Sequence, residues 1–144
     1  LKKVSKFCHE QGMNLVLENM FPQLQFGNIS DILCLADGVG SAVGGICLDT
    51  GHANLSGEIY SSIQNLGSRL KIIHANDNDG VLDDHLPPGK GSIDWDKVLF
   101  QLKEAGFSGT FILELSGDRE NDPKDVLREA GEARHLLEEI SRKI

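Results

Sequence analysis

An α/β fold built on a parallel sheet is what this sequence predicts, and three observations carry the prediction. Short apolar runs alternate with helical stripes along the whole chain. The runs are almost unbroken in hydrophobicity, as in strands buried on both faces, rather than alternating apolar and polar. Each run also stops at a residue able to carry chemistry. The order α-β-α-β-α-β-α-β-α puts a helix between successive strands, which makes the strands parallel and the crossovers right-handed.

In chain order, Val4, Phe7 and Cys8 mark the first helical stripe, and Gly12 suits its end. MNLVLEN is a short strand that stops at Glu18. The spacing predicts a helix from Ile29 to Asp37, with Asn28 as N-cap, Asp31 three residues on and Gly38 past the end. GGICLDTGH is the second strand, delivering Asp49 and then His52. Ile59, Ile63 and Leu66 form a further helical stripe closed near Gly67, and RLKIIHANDND is the third strand, ending in His74. Asp94 caps the next helix, whose face is Trp95, Val98, Leu99 and Leu102 and whose stop is Gly106. TFILELSG is the fourth strand and delivers Glu114. Asp122-Pro123 then starts a long helix with the stripe Val126, Leu127, Ala130, Ala133, Leu137 and Ile140.

The 144 residues amount to one domain, residues 1–144. At 40% hydrophobic and 25% charged, the chain has a globular composition. No run approaches the roughly 18 apolar residues of a membrane span, so no membrane partner is expected. A net charge of −8, with no basic run longer than a dipeptide, disfavours nucleic acid. The three cysteines, Cys8, Cys34 and Cys47, are scattered among apolar neighbours and form no CxxC, which predicts three buried, reduced thiols in a cytoplasmic protein. The chain opens on Leu1 and runs directly into a helical pattern, so an upstream portion is expected.

In parallel α/β folds, reactive groups gather where strands end. Glu18, Asp49, His74 and Glu114 come from four consecutive strand ends. Any one of them could merely cap a helix or satisfy a local hydrogen bond. Together, three carboxylates at one mouth repel one another strongly unless a cation sits among them. Hard oxygen donors with a single imidazole suit one divalent ion, Mn²⁺, Mg²⁺ or Co²⁺, with Zn²⁺ admissible.

LENM, CLDTGH, IIHANDND, DDHLPPGKGSIDW and FILEL resemble the successive signatures of the xylose-isomerase-like TIM barrels. That superfamily includes sugar and sugar-phosphate isomerases and epimerases as well as endonuclease IV. The resemblance covers essentially the whole chain. It implies a (β/α)₈ barrel of which this chain is strands five to eight, the C-terminal half. It also implies that Glu18, Asp49, His74 and Glu114 hold the metal, with Glu18 and Glu114 doubling as the two acid/base residues. By the same resemblance, His52 touches substrate, His85 and Lys90 lie on a loop that closes over it, and Asn76 and Asp77 support the site or bond the substrate.

Such a set suits proton transfer next to a carbonyl in a small sugar or sugar phosphate, through a metal-stabilised enediolate. The competing reading is an endonuclease IV-like phosphodiesterase acting on abasic DNA, for which Asp83 and His85 have the right spacing. A non-catalytic fragment that binds metal or sugar is the third. Four strands cannot close a barrel. The expected partner is therefore the missing half or a second copy of the chain in a homo-oligomer.

Overall fold

The computed structural model describes residues 1–40, 43–116 and 122–144. Strands β1 (Leu15–Glu18), β2 (Val43–Asp49), β3 (Leu70–Ala75) and β4 (Thr110–Leu113) form one parallel sheet in sequential order. Helices α1 (Lys2–Glu10), α2 (Ile29–Val39), α3 (Thr50–Leu55), α4 (Ile59–Leu66), α5 (Trp95–Glu104) and α6 (Pro123–Lys143) alternate with them, and a 3₁₀ turn at Gly67–Arg69 leads into β3. The α/β class and the parallel sheet predicted from the alternation are what the chain forms.

The three predicted caps are present. Asn28 accepts the Asp31 N–H at 2.9 Å, Asp94 the Lys97 N–H at 3.0 Å, and Asp122 the Lys124 N–H at 2.9 Å. Each satisfies one donor that a helix start otherwise leaves unpaired. One face of the sheet builds the core: Ile46, Leu48, Ile73 and Ala75 pack against Ile32, Ile63, Leu66, Val98, Leu102, Leu137 and Ile140. Leu48, Ile63, Ile73 and Val98 have no exposed surface, so truncating Leu48 to Ala would cost about 2–5 kcal/mol.

Strand alternation turns the partners of these residues to the opposite face. There the register sets Glu18 beside Cys47, Asp49 beside His74, and His74 beside Ile112. Ile112, on that face of the last strand, is 41% exposed.

Several elements differ from the sequence reading. The α1 stripe points outward, with Val4 and Phe7 more than half exposed and Ser5 buried instead. Leu127 of the predicted α6 stripe is likewise exposed, and Ala133, Leu137 and Ile140 do the burying. Helix α2 passes through Gly38 to Val39, and Gly40, at φ 82°, follows its end. The tail of the second predicted strand is helix α3, and the fourth strand stops at Leu113. Gly117, the last residue of the predicted fourth strand, lies outside the described residues. Of the cysteines expected to be buried, only Cys47 is; Cys34 is exposed and Cys8 half-buried. Cys34 falls between the buried positions Ile32 and Ala36 of α2, so it turns away from the sheet. Among the described residues, no helix is long and apolar enough to cross a membrane.

Candidate metal centre

Because the strands are parallel, their C-terminal ends share one edge of the sheet, and the four predicted ligands meet there. One donor atom each from Glu18, Asp49, His74 and Glu114 lies within 4.8 Å of the others. His74 Nδ1 stands 2.9 Å from Glu18 Oε1 and 2.8 Å from Glu114 Oε2. A ring nitrogen carries at most one proton, so it cannot donate to both carboxylates. The bond goes to Glu18, and Glu114 Oε2, although shielded from solvent, has no hydrogen-bond partner. Two carboxylate oxygens converging on one nitrogen is an arrangement short of positive charge. The donor set therefore fits a divalent cation.

Asp49 is the best-supported member and has no exposed surface. It ends β2 and caps α3: its Oδ1 accepts the His52 N–H at 2.8 Å, and its Oδ2 accepts the Asn76 side-chain amide at 2.7 Å. Its main chain is held by Asn19, whose Oδ1 accepts the Asp49 N–H at 2.8 Å and whose amide donates to the Asp49 carbonyl at 3.1 Å. Burial pushes the Asp49 carboxyl above its usual range, opposed by the His52 N–H, the His52 ring, the Asn76 amide and His85. Beside it, burial and the charges of Glu18 and Asp49 push the Cys47 thiol up to about 12.

The residues around Asp49 each have a separate task. The Thr50 hydroxyl donates to the Asn76 carbonyl at 2.7 Å and accepts the Asn76 N–H at 3.1 Å, tying the ends of β2 and β3 together. Gly51 leaves room for Asn76: a Cβ there would stand 1.9 Å from Asn76 Oδ1. His52 is buried, with Phe21 edge-on at 4.8 Å between ring centroids. Its Nδ1 faces the Asn19 carbonyl at 2.9 Å, an acceptor only, which assigns the proton to Nδ1. His52 Nε2 lies 3.3 Å from Asp83 Oδ2, and His85 Nε2 lies 3.4 Å from the same oxygen. His85 is further fixed by Nδ1 at 3.2 Å from the Glu114 carbonyl, and it sits in the left-handed region at φ 48°. A bulky residue held there is a strained position of the kind found at functional sites.

The structure thus brings His52, His85 and Asn76 to the ring and gives Asp77 a different task. Asp77 is fully buried, and its carboxylate is saturated by the 78–95 segment. Oδ1 accepts the N–H groups of Asn78 and Ile93 at 3.0 and 3.1 Å. Oδ2 accepts those of Gly89 and the Trp95 indole at 3.0 and 2.9 Å. Its main chain pairs with Leu86 through two 2.8 Å bonds. Instead of reaching substrate, Asp77 holds the loop that carries His85. Lys90 is exposed on the outer part of that loop.

Sequence reasoning missed Asn19, Thr50 and Asn78. The Asn78 amide donates to the Gly51 carbonyl at 3.0 Å, while its Oδ1 accepts from Asn54 and Gly80. The available signal was that Asn19 and Thr50 directly follow a strand and Asn78 comes three residues after one, where a buried uncharged polar residue is costly unless bonded.

Comparison with known proteins bears on the family and the fold. Residues 1–139 match the family described as the xylose isomerase-like TIM barrel. An uncharacterised protein of Methanocaldococcus jannaschii, MJ1311, is 33% identical over 90% of this chain and 46% of its own length. The fructoselysine 3-epimerase of Shigella flexneri is 27% identical over 99% of this chain and 53% of its own. A solved D-tagatose 3-epimerase-like protein superposes with a TM-score of 0.78 at 29% identity, covering 96% of this chain and 50% of that one. The chain therefore spans about half the length of the curated relatives it matches. On the family match, the shared fold and the motifs that build the ring, the chain belongs to the xylose isomerase-like TIM barrel family.

Proposed function

We propose that this chain forms strands five to eight of a (β/α)₈ barrel and that the whole protein is a metal-dependent isomerase or epimerase of a small sugar or sugar phosphate. The observation that carries the reading is the convergence of four donor atoms, one from each strand end, within 4.8 Å. Relatives named as sugar epimerases and inosose isomerases support the reaction class.

Glu18, Asp49, His74 and Glu114 would hold one divalent ion, with Mn²⁺, Mg²⁺ or Co²⁺ favoured by three hard carboxylates. When bound, the ion would supply positive charge that offsets the negative charge developing on the substrate oxygens as the proton is removed. Glu18 and Glu114 come from the first and last strands of the set, so a substrate carbon between them meets a carboxylate on either side. One removes the proton next to the carbonyl and the other returns it, giving an epimer or an aldose–ketose shift. His52 and His85 orient substrate hydroxyls from the rim. Asn76 fixes Asp49, Asp77 fixes the loop, and Lys90, exposed on that loop, would reach a bound substrate only when the loop closes over it. The upstream half supplies the far wall of the pocket, or a second copy closes the sheet as a homo-oligomer, and the protein works in the cytoplasm without membrane or nucleic acid.

The test is a metal-supplemented screen of keto-sugars and their phosphates on the full-length protein, with Glu114→Gln alongside. We expect turnover that chelation removes and a loss of at least about 100-fold in Glu114→Gln, the scale of a general acid/base. Undiminished activity in the variant would remove Glu114 from its role. The cluster of His52, Asp83 and His85 supports a second reading, hydrolysis of abasic DNA. Cleavage of such DNA with no sugar turnover would promote it. Metal or sugar binding by calorimetry with no turnover on any substrate would mark a binding module instead.

A further inference from the structure

Among the described residues, Cys47 is a donor on the ring's face of the sheet that the proposed reaction leaves unused. It pairs in register with Glu18, one pleat before Asp49, and is buried among the carboxylates. Its sulfur, a Glu18 oxygen and a His74 nitrogen lie within 4.8 Å of one another, whereas Asp49 and Glu114 do not join that group. Two donor sets therefore overlap, sharing Glu18 and His74 and differing in what completes them. One is finished by oxygen, the other by sulfur.

We infer that the sulfur set is a seat for a thiophilic divalent ion, Zn²⁺ or Cd²⁺, displaced from the oxygen set toward Cys47. The inference rests on the metal reading above. Donors around a tetrahedral zinc stand ~3.5 Å apart, so atoms within 4.8 Å need only a small closure. On binding, the Cys47 S–H bond breaks, its proton passes to solvent, and the sulfur electron pair forms the bond to the ion, with no change of oxidation state. Hard ions gain nothing from a thiol and stay with Asp49 and Glu114. An ion drawn to Cys47 leaves Glu114 without its counter-charge, so the soft-ion form is a competing and unproductive state of the same centre.

The test uses the full-length protein in a Cys8→Ser, Cys34→Ser background, which removes the exposed and half-buried thiols. Cadmium is titrated while the ultraviolet thiolate-to-metal charge-transfer band is followed, and Mn²⁺ affinity is measured separately by calorimetry. We expect the band to appear and to vanish when Cys47→Ser is added. Cd²⁺ affinity should fall by at least about tenfold, with Mn²⁺ affinity moving by less than about twofold. Cys47→Ala should reproduce both, and circular dichroism verifies that each variant is folded. Cadmium binding without the band, or a band that survives both substitutions, overturns the inference and leaves the metal ring standing. Failure of both ions to bind overturns the metal reading and this inference with it.

Discussion

Replacing Asp77 by Asn is the sharpest single test of how this site is assembled. The change is nearly isosteric and removes one acceptor oxygen. Asp77 accepts four N–H groups, two on each oxygen, from Asn78, Ile93, Gly89 and the Trp95 indole. Whichever way the new amide turns, its NH₂ faces two N–H donors that can no longer be satisfied. Hydrogen bonds to a charged group contribute about 1.5–3 kcal/mol each, so losing two costs roughly 3–6 kcal/mol. The loss falls on the loop and the start of α5. Amide exchange at Gly89 or Ile93, whichever faces the new NH₂, should therefore accelerate by about two to four orders of magnitude, at 1.36 kcal/mol per factor of ten. Trp95 is the only tryptophan, so its emission reports the same event. Metal affinity of the ring should stay within about threefold, because none of the four ligands touches Asp77, while substrate KM rises as His85 loosens. Exchange rates unchanged at both amides, with stability within about 0.5 kcal/mol of the parent, would refute the bracing role.

Two further outcomes follow from the ring itself. Gly51→Ala places a methyl group 1.9 Å from Asn76 Oδ1, so Asn76 must leave Asp49, and Mn²⁺ affinity by calorimetry should fall about 10–100-fold; an unchanged affinity would show that Asn76 does not position the ligand. Burial holds the Asp49 carboxyl above its unfolded value near 3.8. Its neutral form is therefore favoured on folding, a contribution present below that value and lost as pH rises through the raised one. In chelator, the stability of the wild type relative to Asp49→Asn should fall over this window in urea titrations. A difference that grows with pH would contradict the sign.

Much of this was legible because the signals were local. Asn28, Asp94 and Asp122 cap helices through bonds spanning two or three residues, which a sequence displays directly. The ring was legible for a different reason: four nearly unbroken apolar runs each stop at a candidate ligand, and parallel topology brings their ends together. What stayed hidden depends on partners far apart in sequence. Asn19 reaches Asp49 thirty residues away, and Trp95 reaches Asp77 across eighteen. Helix α3 was missed because TGHANL has no apolar stripe; it is held by the Asp49 cap and buried through Thr50, Gly51, His52 and Ala53. The α1 stripe, by contrast, marked a helix that does form, at Lys2–Glu10. Periodicity announces a helix but not which of its faces meets this sheet, and Ser5 rather than Phe7 does.

The adjacent positions Asn76 and Asp77 divide the labour at the end of β3. Asn76 turns toward Asp49 and serves the ring, and Asp77 turns toward Gly89, Ile93 and Trp95 and serves the loop. One peptide bond therefore separates the residue that positions Asp49 from the residue that fastens the 78–95 segment. A substitution at Asp77 loosens the segment through Gly89, Ile93 and Trp95, whereas a substitution at Asn76 acts on Asp49. Substitutions in the loop and substitutions in the ring therefore load different bonds at the same strand end.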